Sequence, residues 1–275
     1  MNNRVIQNYS KLSPVQLLWP LLVLSGVSVF LFANDALNAS GYIQSQKELF
    51  YLLNASLGQF PALQFNLTQL GDALIFLSLL SLFIVYAPSL WQSLISASLF
   101  SLIASSGLKN LFSIPRPAAV LDTNSFIIIG DTLPGHSSLP SGHAITIFTT
   151  LTILLFAFMP EKKSPRAAWC LLVICLGFVL AFTRVGVGAH FPIDVIVGCM
   201  VGFLCGLAGI FFSRSYALWH WVGNKKYHPV FIVLLLACVI MVFLKTTVEP
   251  LPVYIITLIS LVFSLYKITD VYIKK

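Results

Sequence analysis

Long apolar runs separated by short charged loops constrain this chain more than any other feature. A helix needs about 20 mostly apolar residues to cross roughly 30 Å of hydrocarbon. Eight segments meet or approach that length: residues 14–34, 70–87, 91–111, 144–160, 167–183, 193–213, 230–245 and 251–268. Only 9% of the 275 residues are charged and 58% are hydrophobic, whereas a soluble domain carries about a quarter charged residues. So little charge cannot cover a water-facing surface, which excludes disorder, a disulfide-stapled secreted domain and a soluble nucleic-acid binder. The expected fold class is all-α, a polytopic transmembrane bundle, because backbone groups in lipid must be satisfied within the segment that carries them. The first run follows Arg4 and Lys11, as a signal peptide would. It is longer than a typical signal core and no clear small-x-small cleavage site follows, so it counts as a span.

The net charge of +7 would suit nucleic acid if it formed a stripe interleaved with aromatics. Instead the basic residues sit in short clusters between apolar runs, the distribution that orients a membrane protein. With the N-terminus inside, eleven of the 16 Lys and Arg, from Arg4 and Lys11 to Lys274 and Lys275, face inward. The other five, Lys47, Lys109, Arg116, Arg184 and Lys245, face outward. Both termini are then cytoplasmic, and the expected location is a bacterial inner membrane with the outer loops toward the periplasm or cell exterior. The five cysteines all lie in apolar runs at no metal-ligand spacing and read as packing residues. In the longest outer stretch, 35–69, Leu49, Leu53 and Leu57 recur at helical spacing. This reads about equally as an interfacial amphipathic helix or a packed loop. Triplets at Asn38, Asn54 and Asn66 match the glycosylation acceptor pattern, which has meaning only in a eukaryotic source.

Charged residues at the ends of spans are costly and therefore informative, and here they gather on the outer side. Lys109 ends the third span and Arg116 follows between Pro115 and Pro117. Pro140-Ser141-Gly142-His143 opens the fourth span, Thr183-Arg184 ends the fifth, and His190 and Asp194 flank the start of the sixth. Pro192 is tolerated only in a first helical turn, so the sixth span should begin near it. Three cations, two histidines and a carboxylate suit phosphoryl transfer, whose catalysis is mostly positioning and electrostatic stabilisation. Helix starts add free N–H groups and the positive end of the macrodipole. Asp194 can accept from one imidazole nitrogen of His190 and leave the other as a nucleophile, and His143 can protonate a leaving alkoxide.

These three pieces, Lys109-(six residues)-Arg116-Pro117, Pro140-Ser141-Gly142-His143 and Arg184-(five residues)-His190-(three residues)-Asp194, resemble the signature of the type 2 phosphatidic acid phosphatase superfamily. The order, spacing and placement at the span ends match together, and the resemblance covers roughly residues 14–213. It implies a six-span core, with His190 as the nucleophile that forms a phosphohistidine, Asp194 orienting it and His143 as general acid. It also implies Lys109, Arg116, Ser141, Gly142 and Arg184 as phosphate-binding groups, with no metal ion and no other cofactor. Thr183 stands where the family most often has Ser; its hydroxyl could still reach phosphate. The expected organisation is a catalytic core over 1–213, then an inner loop and two further spans over 214–275 whose role the sequence leaves open. His136 matches no family position and reads as a loop histidine.

The expected partner is a membrane lipid phosphate, its tail kept in the bilayer and entering laterally between spans. Family breadth puts undecaprenyl diphosphate first, then phosphatidylglycerol phosphate or phosphatidate, then lipid A phosphate. A lipid-to-lipid phosphotransferase would need the same residues. A transporter is disfavoured, because its ionisable groups belong near the midplane and its halves often repeat.

Overall fold

The computed structural model describes residues 1–274; Lys275, counted above among the inner cations, lies outside the described residues. The helices are α1 (Asn2–Ser10), α2 (Leu18–Ala33), α3 (Ala39–Gln44), α4 (Lys47–Leu57), α5 (Pro61–Thr68), α6 (Ala73–Leu79) and α7 (Phe83–Tyr86). They continue with α8 (Pro88–Phe112), α9 (Pro117–Val120), α10 (Gly142–Ala157), α11 (Lys163–Gly186), α12 (Pro192–Ser215), α13 (His228–Val248) and α14 (Pro252–Ile273). Among the described residues, six segments are long and apolar enough to cross a membrane, built on α2, α8, α11, α12, α13 and α14. The protein is an integral membrane protein of the all-helical class.

Two of the eight expected spans differ from a simple crossing. α10 has only 16 residues, and nearly every side chain after its first turn is buried among α8, α11 and α12. The expected span over 70–87 is broken at Leu80–Leu82 into α6 and α7. A break at membrane depth is tolerated where protein satisfies the freed backbone groups, and here it does. Trp91 Nε1 donates to the Leu80 carbonyl (2.9 Å), Ser260 Oγ to that of Leu79 (3.0 Å) and Ser81 Oγ to that of Ser78 (2.7 Å).

The core sits where α10 meets α12. Gly198, Gly202 and Gly206 repeat every four residues on α12, and an added Cβ at each would strike α10. This small-residue face lets the two backbones approach closely. At the C-terminal end of α10, α1 closes the bundle: Asn8 Nδ2 donates to the Ala157 carbonyl (3.0 Å), and Arg214 Nη1 donates to that of Tyr9 (2.8 Å).

α13 and α14 form a hairpin with its own core, in which Phe231, Leu235, Tyr254 and Leu261 pack with Ile75 of α6. Polar ties fasten it to the rest. Ser81 Oγ and Ser264 Oγ lie within hydrogen-bonding distance (2.8 Å), and Asn66 Oδ1 accepts from Val253 N (3.1 Å). Lys245 pairs with Asp72 (3.0 Å).

The outer stretch is a packed cap. α4 buries Phe50 completely, in edge contact with Phe126 and Phe191 (5.3 Å each), and its Asn54 bonds Ile127 in both directions. Asn54 is 1% exposed and closed to glycosylation in this fold. The sequence left the helix and loop readings open because burial against α11 depends on residues far away in the chain.

Candidate active site

Local sequence rules bring the polar groups together at one end of the bundle. Lys109 lies in the last turn of α8, which stops at Ser113 in the left-handed conformation (φ 46°). Residues before proline are pushed to extended backbone, and Arg116 (φ −77°, ψ 161°) obeys between its two prolines. The return loop is clipped beneath it: Arg116 N donates to the Gly135 carbonyl (2.8 Å), and Ser138 N donates to that of Ile114 (2.9 Å). Ser141 then caps α10, so that Gly142 and His143 fall in its first turn, where unpaired N–H groups and the macrodipole favour an anion. The Lys109 ammonium lies 3.2 Å from where a Gly142 Cβ would stand.

The third piece is a tight turn. The Arg184 carbonyl accepts from both Ala189 N (3.0 Å) and His190 N (3.2 Å), which folds His190 back beside the end of α11. α12 opens at Pro192, as the proline predicts, with Asp194 in its first turn. Ser141 N donates to the Asp194 carbonyl (3.0 Å), which ties the starts of α10 and α12 together.

All eight expected positions meet here. The charges of Arg184, Lys109 and Arg116 act on the His143 imidazole together with His190, and those of Arg116 and Arg184 act on His190. Among the described residues, Arg116 Nη1, Arg184 Nε and His190 Nδ1 at this end have no hydrogen-bond partner. Buried donors without acceptors are costly, and the two on the guanidinium groups make this end a candidate anion site. Burial, opposed only partly by Asp194, lowers the His190 pKa to about 4. Its imidazole is therefore neutral at ordinary pH, as a nucleophile must be.

Three details differ from the sequence expectation. His190 Nδ1 stands 3.6 Å from Asp194 Oδ2, just beyond hydrogen-bond reach. Asp194 is instead held by other donors: Tyr42 OH on Oδ1 (2.6 Å), with Ser138 Oγ (2.5 Å) and Phe191 N (2.8 Å) on Oδ2. The Thr183 hydroxyl turns back to the Leu180 carbonyl (2.6 Å), and the Ser141 hydroxyl faces Ala144 N as a long cap (3.5 Å). His136 is exposed.

The cap supplies groups that no motif indicated. Tyr42 reaches Asp194 from α3, and burial followed by the nearby carboxylate raises its phenol well above the ordinary range, so it stays a donor. Gln46 Oε1 accepts from Ile193 N (2.8 Å), and Thr68 Oγ1 accepts from Arg184 Nη1 (2.9 Å). Nothing in the spacing of 35–69 distinguishes these residues from ordinary loop polars.

A groove leads into this end between α6, α8 and α10, with a cavity of about 450 Å³. Gly142 and His143 stand at its outer end, and it continues along Ser105, Ser101 and Ser98 of α8 and Thr146 and Thr149 of α10. The span from Ser105 to Ser98 makes it roughly 10 Å long.

Residues 90–224 match the family model described as the PAP2 superfamily. An undecaprenyl-diphosphatase of Sulfolobus acidocaldarius is 38% identical over 69 residues, 25% of this chain and 30% of that protein. A lipid A 1-phosphatase of Rhizobium johnstonii is 36% identical over 137 residues, 46% of this chain and 52% of that protein. The chain thus spans about half or less of the length of these curated relatives. Among solved structures, LpxE from Aquifex aeolicus is 29% identical, with a TM-score of 0.49 over 61% of this chain and 95% of that one. The matched stretch begins in α8, so the outer cap, α6, α13 and α14 all lie outside it.

Proposed function

The chain belongs to the PAP2 superfamily over residues 90–224, and from that premise we propose that it is an integral-membrane lipid phosphatase acting through a phosphohistidine. The observation that carries this reading is the pair of unpartnered buried guanidinium nitrogens on Arg116 and Arg184, whose charges act on the neutral His190 imidazole. His143 of the same site lines the groove between α6, α8 and α10.

In the proposed reaction Lys109, Arg116 and Arg184, with the N-terminal turn of α10, hold the phosphoryl oxygens. With Nδ1 turned to Asp194, His190 attacks phosphorus through Nε2 while the bond from phosphorus to the leaving oxygen breaks. His143 gives its proton to that oxygen. Asp194 stabilises the positive charge that the phosphorylated imidazole acquires, and its fixed carboxylate keeps Nδ1 protonated. Water then attacks the phosphohistidine, His143 takes the water proton, and the P–N bond breaks to release inorganic phosphate.

The substrate is a phosphomonoester or diphosphate of a membrane lipid, the range spanned by the names of the two curated relatives. Its tail lies in the groove beside α8, so the substrate enters from the bilayer. The excess of Lys and Arg at the opposite end of the bundle favours both termini in the cytoplasm and the site at the outer leaflet. In a bacterium this reading puts the protein in the inner membrane, with its site toward the periplasm or cell exterior.

The test is phosphate release by the detergent-purified protein, in EDTA, from phosphatidate, phosphatidylglycerol phosphate, undecaprenyl diphosphate and lipid A. Release from at least one lipid that disappears in His190→Ala is expected. Release unchanged by that substitution would remove His190 from the chemistry, and release from none of the four would refute the phosphatase reading.

A further inference from the structure

The groove's wall carries a charge pair that the transferred phosphate does not need. Asp72 lines the cavity beside Gly71, and Gly71 is in such close contact with His143 that an added Cβ would lie 2.5 Å from its Cδ2. Asp72 therefore lines the same groove as the proposed general acid, one residue along the chain from its close contact. Oδ1 caps α6 by accepting from Leu74 N (2.9 Å), and Oδ2 accepts from Lys245 Nζ (3.0 Å). Lys245 comes from the outer end of α13 and is not part of the groove lining. Among the described residues that line the groove, Asp72 is the only Asp, Glu, Lys or Arg; most of the others are hydroxyl or aliphatic. The pair is partly exposed, with side chains 39% and 30% accessible, so its electrostatic reach is moderate.

The charge of the leaving group differs between the two substrate types. With a lipid phosphomonoester, the bond broken joins phosphorus to the alcohol oxygen. The leaving group is then a neutral lipid alcohol once His143 has given its proton. With a lipid diphosphate, the bond broken joins the terminal phosphorus to the bridging oxygen, and the leaving group is a lipid monophosphate. That second phosphate stays on the groove side of His143, facing Asp72.

We propose that the Asp72–Lys245 pair sets leaving-group specificity, with Asp72 turning the site toward lipid phosphomonoesters and Lys245 limiting how strongly it rejects diphosphates. This rests on the phosphatase reading above and assigns α13 a function: it delivers the cation that neutralises a carboxylate in the groove. A neutral lining rich in hydroxyls suits a leaving alcohol carried on a polar backbone such as glycerol or a sugar. A second phosphate would find there a carboxylate and, among the lining residues, no Lys or Arg.

The two members of the pair predict opposite effects. The probes are dioleoylglycerol phosphate and dioleoylglycerol diphosphate, which share one tail and differ only in the leaving group. Their kcat/KM values are compared for the full-length protein in detergent. Asp72→Asn keeps the α6 cap but removes the negative charge, so the ratio of diphosphate to monoester turnover should rise by roughly fivefold or more, the scale of one moderately screened charge. Lys245→Met leaves the carboxylate uncompensated, so the ratio should fall by a similar factor. The double variant, neutral at both positions, should stay at or above the wild-type ratio and clearly above Lys245→Met.

A purely structural pair would lower both rates together and leave the ratio in place. Shifts of the same sign in the two single variants, or ratios within twofold of wild type in both, would overturn the proposal. Hydrolysis of neither probe by the wild-type protein would overturn this inference, which expects the glycerol-based monoester to be turned over, whereas the phosphatase reading itself falls only if all four lipids of the earlier test fail.

Discussion

Removing one oxygen from Tyr42 should weaken both the fold and the proposed reaction. Tyr42 OH donates to Asp194 Oδ1 at 2.6 Å, and both residues are buried, at 2% and 0% exposure. The other donors to the carboxylate, Ser138 Oγ and Phe191 N, both reach Oδ2. Tyr42→Phe therefore leaves Oδ1 of a fully buried carboxylate without its donor. The ring itself still fills its place against Ile114, Leu139 and Ile193, so no cavity term is added. A hydrogen bond to a charged group contributes about 1.5–3 kcal/mol, and a loss of about 2 kcal/mol in unfolding free energy is expected. Turnover should fall further than that loss alone implies. His190 Nδ1 is already 3.6 Å from Oδ2, and a carboxylate free to rotate cannot stabilise the charged imidazole that phosphorylation creates. A decrease in kcat on the order of 10- to 100-fold is expected, with KM little changed, because Tyr42 is a positioning residue that does not touch the phosphate clamp. The assay pairs denaturant titration of the detergent-solubilised protein with initial rates of phosphate release. A variant within twofold of wild type in kcat, with an unchanged midpoint, would refute the view that Asp194 is held for His190 by the cap.

Other perturbations test separate parts of the site. Arg184→Ala removes a buried cation with one unpartnered nitrogen and should cost on the order of a hundredfold in rate, by analogy with a lost oxyanion donor; a loss below about threefold would make Arg184 structural. Gly71→Ala puts a methyl group 2.5 Å from His143 Cδ2 and should lower kcat by roughly tenfold through displacement of the general acid. Normal turnover there would show that the contact yields without moving His143. With His190 at about 4 in the folded protein against about 6.5 free, its nucleophilic form persists well into acid. The acid limb of kcat/KM that belongs to the enzyme should lie near pH 4, and a limb near 6.5 that disappears in no other variant would contradict the burial. The same shift has a stability counterpart. Below pH 6.5 the unfolded chain binds a proton at this histidine that the folded one refuses, so stability declines as pH falls from about 6.5 to about 4 and levels off below that.

The sequence alone determined that this chain is a helical membrane protein and where its charged chemistry gathers. Both results come from the cost of polar groups in hydrocarbon. A run of apolar residues is legible without knowing its neighbours, and a charge at the end of such a run stands out because it is expensive there. Lys109, Arg116, His143, Arg184, His190 and Asp194 were legible for that reason, and because each lies within a short motif at a helix end. Pro192 likewise fixed the start of α12, since the ring allows nothing else.

Only the tertiary structure decided what holds those groups. Tyr42 lies 152 residues from Asp194, Thr68 lies 116 from Arg184, and Gln46 lies 147 from Ile193. A hydroxyl or amide in a polar loop has no period or spacing to mark it, so its partner is fixed only when helices pack. The break between α6 and α7 was hidden because two of the three side chains that satisfy it, Trp91 and Ser260, come from α8 and α14. The pairing of Asp72 with Lys245 across 173 residues was likewise invisible in either segment. Local residue chemistry pointed to the candidate anion site; long-range packing set which donors fix the Asp194 carboxylate and which cation pairs with Asp72.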